Sequence, residues 1–208
     1  MPSKSKEEVV QEFRVQSIQE ATMRVIARKG MAAATMQEIA EEAGVAKGTI
    51  YLYFRDRDEL VEKTFERAMG LLMEQVDEAL DRETGIEEKI RSVMSAQLAF
   101  FSANREFFRL YLSLRMPEGS PQQQRRQKRT CQPQYRSHVQ KLADVLSTAM
   151  ERDEIRRVDP YRLALFIIEG STAVILERLG EETSPDERAD MEFITTLILD
   201  GIRKGSKS

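Results

Sequence analysis

EIAEEAGVAKGTIYLYFRDRDEL, residues 38–60, sets a charged helical run against a glycine and then a short aromatic segment. The run from Met36 to Ala43 puts Ile39, Ala40 and Ala43 on one side at helical spacing. Gly44 follows where the chain must take a positive φ to leave that helix. Val45 closes the corner, and residues 47–54 read as a second short helix with Ile50 and Phe54 turned inward. Two helices meeting through a short glycine turn form either a helix-turn-helix, whose second helix enters a major groove, or an αα-corner with half-buried tyrosines. The leading edge of the second helix is small and polar: Lys47, Gly48 and Thr49. Gly48 costs a helix about 1 kcal/mol relative to alanine, a loss that close approach to a DNA backbone would explain. Tyr51 and Tyr53 can donate to phosphates, and Arg55 and Arg57 bring charge. Thr35 and Gln37 stand at the start of the preceding helix, where N–H groups and dipole favour an anion.

Outward from this corner the chain reads as helix after helix. Capping-box pairs recur at Ser5/Glu8, Thr35/Glu38, Asp56/Glu59, Thr84/Glu87, Ser120/Gln123 and Ser184/Glu187. Asp159-Pro160 and Ser184-Pro185 add a cap followed by proline in the first helical position. Between the caps the apolar residues keep the helical period, as in Leu60, Phe65, Ala68, Leu72, Val76 and Leu80. About nine helices are expected, over 6–29, 36–43, 47–54, 57–81, 86–102, 104–115, 121–151 (interrupted near Pro133), 160–179 and 185–204. The fold class is all-α. A small helix-turn-helix head, residues 1–56, joins a larger helical body, residues 57–208, through the helix that starts at Arg57.

Composition narrows the chemistry. The 208 residues are 41% hydrophobic and 32% charged, ordinary for a helical protein with a charged surface. One cysteine, Cys131, and one histidine, His138, provide neither a disulfide nor a metal site, so no metal and no cofactor is expected. No acid–base pair, nucleophile–histidine arrangement or phosphate-cradling glycine loop points to an enzyme. The lack of a long apolar run or secretion core predicts a cytoplasmic protein without a membrane span. A net charge of −3 gives no bulk attraction for nucleic acid, but recognition depends on the local field.

TMQEIAEEAGVAKGTIYLYFRDRDEL, residues 35–60, resembles the N-terminal signature of the TetR (tetracycline-repressor-like) transcription regulators, and SIQEATMRVIARKG before it is similar to their first helix. The resemblance covers about residues 14–65 and implies roles by position. Gln37, Lys47, Gly48 and Thr49 would face bases or adjacent backbone, and Thr35, Tyr51, Tyr53 and Arg57 would hold phosphates. Two positions depart from the pattern. Arg57 replaces the usual lysine, which changes donor geometry. Ala46 stands where a serine often caps the recognition helix, a cap worth roughly 1 kcal/mol.

The body offers two further expectations. The last two helices are apolar on more than one side, through Leu163, Phe166, Ile167, Gly170 and Val174 in one and Met191, Ile194 and Ile198 in the other. Burial within one chain or against a second subunit both account for that pattern; the resemblance implies a homodimeric four-helix bundle. The middle helices carry a phenylalanine and methionine stripe that is either plain core or a pocket. The resemblance implies a small-molecule effector of unknown identity that releases DNA. Gln97, Asn104, Arg109, Tyr111, Arg115, Tyr135 and His138 are its candidate polar partners. Residues 119–143 contain no acid and include Arg125, Arg126, Lys128 and Arg129, which fits a solvated helix, a second nucleic-acid patch or a site for an anion such as an acyl thioester.

The expected function is a ligand-responsive regulator, most often a repressor in this family, on a palindromic double-stranded operator. A constitutive repressor or a structural DNA binder is the alternative.

Overall fold

The computed structural model describes residues 5–115, 121–180 and 187–203; at 115, 121–132, 134, 176, 178–180, 187, 188, 190 and 191 it describes the backbone alone. Among the described residues run nine α-helices and no strand: α1 Lys6–Lys29, α2 Met36–Ala43, α3 Lys47–Tyr51, α4 Arg57–Asp81, α5 Ile86–Ala103, α6 Arg105–Arg115, α7 Pro121–Glu151, α8 Pro160–Gly180 and α9 Glu187–Ile202. The all-α reading holds, and most boundaries fall within two residues of expectation.

The chain divides into two compact units, Met1–Met69 with Glu106–Gln132, and Gly70–Arg105 with Pro133–Ser208. In the first, α1 buries Ile18, Ala21 and Val25, spaced three and four apart, together with the adjacent Ile26. Ile39 and Ala40 of α2, Ile50 of α3 and Phe54 are buried in the same unit, where α2 packs on both α1 and α3. Each fully buried aliphatic or aromatic side chain contributes roughly 1.5–3 kcal/mol. Phe65 of α4 and Phe107 of α6 add a tilted ring pair, centroids 5.8 Å apart. Ser5 and Glu8 form the expected reciprocal cap on α1, and Thr35 and Glu38 the same on α2.

In the second unit α5 packs on α8 and α9, and α8 on α9. Its core includes Leu72, Val76, Ile90, Met94, Phe101, Leu142, Leu146, Ile167, Ile168 and Leu199. Buried Ser171 and Thr172 satisfy their hydroxyls on the carbonyls of Ile167 and Ile168, at 3.0 and 2.9 Å, so neither leaves an orphan donor inside the helix pair. Asp159 accepts from the Arg162 N–H at 2.9 Å and caps α8 ahead of Pro160, as expected.

Four expectations need correction, and two lie out of reach. The helix at 47–54 stops at Tyr51, because Leu52 and Tyr53 donate to carbonyls only three residues back and Phe54 swings into the core. Thr84 is not the cap of α5. Gly85 occupies that position with no side-chain bond, while Glu87 is drawn to Arg203. No break occurs at Pro133; α7 runs through it, although proline supplies no N–H to the ladder, and the boundary between the two units falls just before that residue. Asp56 caps Glu59 at 2.8 Å, but the reciprocal carboxylate bond goes to the Arg55 N–H instead. The pairs Ser120/Gln123 and Ser184/Glu187 lie outside the described residues.

Candidate nucleic-acid interface

The corner between α2 and α3 is built by Gly44. At φ 67° and ψ 31° it takes the left-handed conformation that glycine adopts without steric cost. Its N–H donates to the Glu41 carbonyl at 3.2 Å and the Val45 N–H to the Ala40 carbonyl at 2.9 Å. These two bonds close the end of α2 in a Schellman motif and aim the chain into α3.

α3 is five residues long and is held from beneath by Ile50 and Phe54, both buried, while Lys47 and Gly48 stay exposed. Ala46 makes no side-chain cap, so the departure noted from sequence is left uncompensated by its own residue. A Cβ added at Gly48 would meet nothing within 4 Å, so no contact inside the chain demands glycine there. Tyr51 is 48% exposed on the same outer edge, and Leu52 beside it is 78% exposed. Tyr53 is half-buried. It lines an open cleft of about 970 Å³ with Glu8, Glu12 and Gln16 of α1 and Lys63 and Arg67 of α4.

The start of α2 is exposed too. Thr35 accepts from the Glu38 N–H at 3.3 Å, and its hydroxyl donates back to the Glu38 carboxylate at 3.0 Å. Gln37 donates to Glu41 at 2.8 Å. Lys29 and the Thr35 hydroxyl, both bonded to Glu38, hold its carboxyl below the usual carboxylate range. Glu42 is held low in the same way by Arg24 and Arg28, at 2.8 and 3.1 Å. These ion pairs tie α2 to α1 across an exposed seam.

Arg57 has a different setting. Its Nη1 donates to the carbonyls of Met31 and Ala34, at 2.8 and 3.0 Å, and its side chain is only 31% exposed. No spacing rule pairs residues so far apart in sequence. The exposed Leu52 and the cleft were equally invisible, although the half-turn offset of Leu52 from Ile50 and Phe54 was a usable signal.

Of the seven polar residues suggested for an effector, Gln97, Asn104, Tyr135 and His138 belong to the second unit and Arg109, Tyr111 and Arg115 to the first. In the second unit Gln97 of α5 meets His138 of α7, Nε2 to Nε2 at 3.3 Å, with both side chains 2% exposed. The His138 Nδ1 lies 2.9 Å from the Met73 sulfur of α4. A proton on Nδ1 aimed at the sulfur leaves Nε2 to accept from the Gln97 amide, and the Gln97 Oε1 then has no protein partner. Burial pushes the His138 imidazole down to about 4, with nearby Lys141 adding to the effect and Asp77 opposing it. Tyr135 donates to Glu169, and Asn104 caps α5 by donating to the Phe100 carbonyl at 2.8 Å. Arg109 and Tyr111 belong to the first unit, where Arg109 donates to the Ala27 carbonyl and Tyr111 stacks on Phe108. The Arg115, Arg125, Arg126, Lys128, Arg129 and Cys131 side chains lie outside the described residues.

On the last two helices Phe166, Phe193 and Leu197 are 60%, 69% and 58% exposed. Leu163, Gly170, Val174 and Ile194 are half-buried, whereas Ile167 and Ile198 are buried inside the protomer. A Cβ at Gly170 would sit 3.7 Å from the Ile194 side chain, which marks where α8 and α9 cross. The Met191 side chain is outside the described residues. Among the described residues no group of acids, histidines or cysteines could hold a metal ion, and no helix is long and apolar enough to cross a membrane.

Residues 18–64, which run from the middle of α1 through the first turns of α4, match the model of the bacterial regulatory proteins of the tetR family. The fatty acid metabolism regulator protein of Bacillus subtilis (strain 168) is 25% identical over 186 residues, 89% of this chain and 92% of its own length. The fold is similar to that of the fatty acid degradation regulator FadR from Bacillus halodurans, with a TM-score of 0.76 and 21% identity over 95% of this chain and 97% of that one. It is also similar to FadR from Bacillus subtilis in complex with stearoyl-CoA, with a TM-score of 0.76 and 22% identity over 90% of this chain and 99% of that one.

Proposed function

Because the chain belongs to the tetR family of bacterial regulatory proteins, we propose that it is a homodimeric repressor of a palindromic operator, released by a long-chain acyl thioester. The observation that carries this reading is the corner itself: an exposed α3, with Lys47 and Gly48 leading, anchored from below by buried Ile50 and Phe54. Such a helix can enter a major groove without disturbing its own core. Residues 1–56 are the reading head and 57–208 the body. Lys47, Gly48, Thr49 and Gln37 meet bases or the backbone beside them, while Thr35, Tyr51 and Tyr53 meet phosphates.

One head reads few base pairs, so two copies act across a two-fold axis. Phe166 on α8 and Phe193 and Leu197 on α9 are exposed apolar side chains of the kind that mark an interface.

The effector class rests on two supports. The Bacillus subtilis relative, similar over nearly its whole length, is a regulator of fatty acid metabolism. The acid-free basic run 119–143 suits the anionic head of an acyl thioester.

Lys47→Ala is expected to change the preferred base at one position per half-site, with a loss of about 1–3 kcal/mol on the best sequence. Tyr53→Phe should weaken binding to operator and random duplex alike. Fluorescence anisotropy on a duplex carrying the palindrome checks both. Added stearoyl-CoA, but not free CoA, should release the operator. A discrete footprint that no acyl thioester shifts would sink the effector class and leave a constitutive repressor, whereas diffuse coverage would sink the operator reading itself.

A further inference from the structure

Arg57 sits where the family resemblance asks for a phosphate contact, yet its guanidinium is turned into the protein. Nη1 donates to two carbonyls at once, Met31 at 2.8 Å and Ala34 at 3.0 Å. Both acceptors belong to the loop between α1 and α2, and the Met31 and Ala34 side chains are themselves buried. The loop ends at Thr35, the residue that caps α2. One cation in the first turn of α4 therefore fixes the segment from which Thr35 and Gln37 project. A planar guanidinium suits this task because its donors lie in a fixed fork. Asp58 lies 4.0 Å from Nε, on the guanidinium edge away from that loop bond.

We infer that Arg57 is a positioning residue for operator recognition: it clasps the α1–α2 loop and thereby sets the placement of α2, rather than anchoring a phosphate. This role presupposes that α2 and α3 meet DNA. A phosphate anchor and a loop clasp leave different signatures. Each phosphate contact on duplex DNA contributes about 0.9 to the slope of log K against log salt, independent of sequence. A clasp contributes nothing to that slope and acts on recognition through the residues it places.

The experiment uses the full-length chain and four variants, Arg57→Ala, Arg57→Lys, Gln37→Ala and Arg57→Ala with Gln37→Ala. Binding to operator and to random duplex is measured across a salt series, and amide exchange at residues 31–36 is followed without DNA. Arg57→Ala is expected to lose about tenfold on operator and much less on random duplex, the scale of losing a donor from part-buried carbonyls. The salt slope should stay that of the parent, and exchange at residues 31–36 should quicken. The loss should also shrink once Gln37 is already alanine, since neighbours acting through one element do not add. Arg57→Lys, which keeps a donor within reach of the carbonyls, should restore slow exchange and most of the discrimination. If Arg57→Ala lowers the salt slope by about 1 per contact while exchange at 31–36 is unchanged, the residue is a phosphate anchor and the clasp is overturned. Should the parent fail to tell operator from random duplex, the operator reading falls. The exchange result, obtained without DNA, still decides whether Arg57 holds the loop.

Discussion

Replacing Phe193 and Leu197 together with aspartate should yield a folded monomer that binds operator at least about a hundredfold more weakly than the parent. Both side chains are largely exposed in the protomer, so their loss removes little from its own core. They stand four residues apart on α9, hence on one face, and two carboxylates there would meet their symmetry mates across an isologous interface. Desolvating such like charges costs several kcal/mol, enough to shift a micromolar dimer to monomer. Without the partner, each head binds its half-site alone, and the gain from tethering is lost. Light scattering gives the mass, far-UV circular dichroism the helix content, and anisotropy the affinity. A variant that keeps the dimer mass would remove α9 from the interface.

The second large effect concerns acid. His138 is the single histidine of the chain, and burial holds its imidazole near 4 in the folded protein against 6.5 when exposed. Between those values the unfolded chain binds more protons, so stability rises with pH through this window and is lost as pH falls from 6.5 towards 4. The full loss is on the order of 3 kcal/mol. Carboxylates held low by ion pairs, such as Glu38, Glu42 and Glu87, act in the same direction at lower pH. The informative quantity is therefore the difference between the parent and His138→Gln, which keeps an amide able to meet Gln97 but cannot titrate. Denaturant midpoints should converge near pH 4 relative to their separation at pH 7, with the parent falling faster. Parallel curves across that range would show that His138 is not held neutral by the fold.

The helices were readable because their boundaries are local chemistry. Ser5, Thr35 and Asp159 announce helix starts with their own side chains, and Gly44 announces a stop through a backbone angle few other residues tolerate. α3 was overread by three residues because Tyr53 and Phe54 fit a helical period as well as the turn they actually make. Outer and inner faces of α8 could not be told apart from sequence. Apolar on nearly all sides, it gave no angular signal, so buried Ile167 and exposed Phe166 looked alike. The DNA-facing candidates were legible as a pattern, but the inward turn of Arg57 was not. It depends on two carbonyls that a loop 23 and 26 residues upstream happens to present. The Gln97–His138–Met73 chain was hidden for the same reason, since three helices bring it together.

The bonds from Arg57 to Met31 and Ala34 also decide where this chain can be cut and rejoined. A graft that moves the reading head onto a different sensor by splicing at residue 56 would leave the clasp behind, and the recipient's own residue would inherit the task of closing the loop. A shorter side chain with no donor there would leave the Met31 and Ala34 carbonyls unclosed. Carrying the donor sequence through Met69, where the first compact unit leaves α4, transplants the loop together with the side chain that closes it. For a builder of hybrid regulators, the seam belongs inside the long helix rather than at its start.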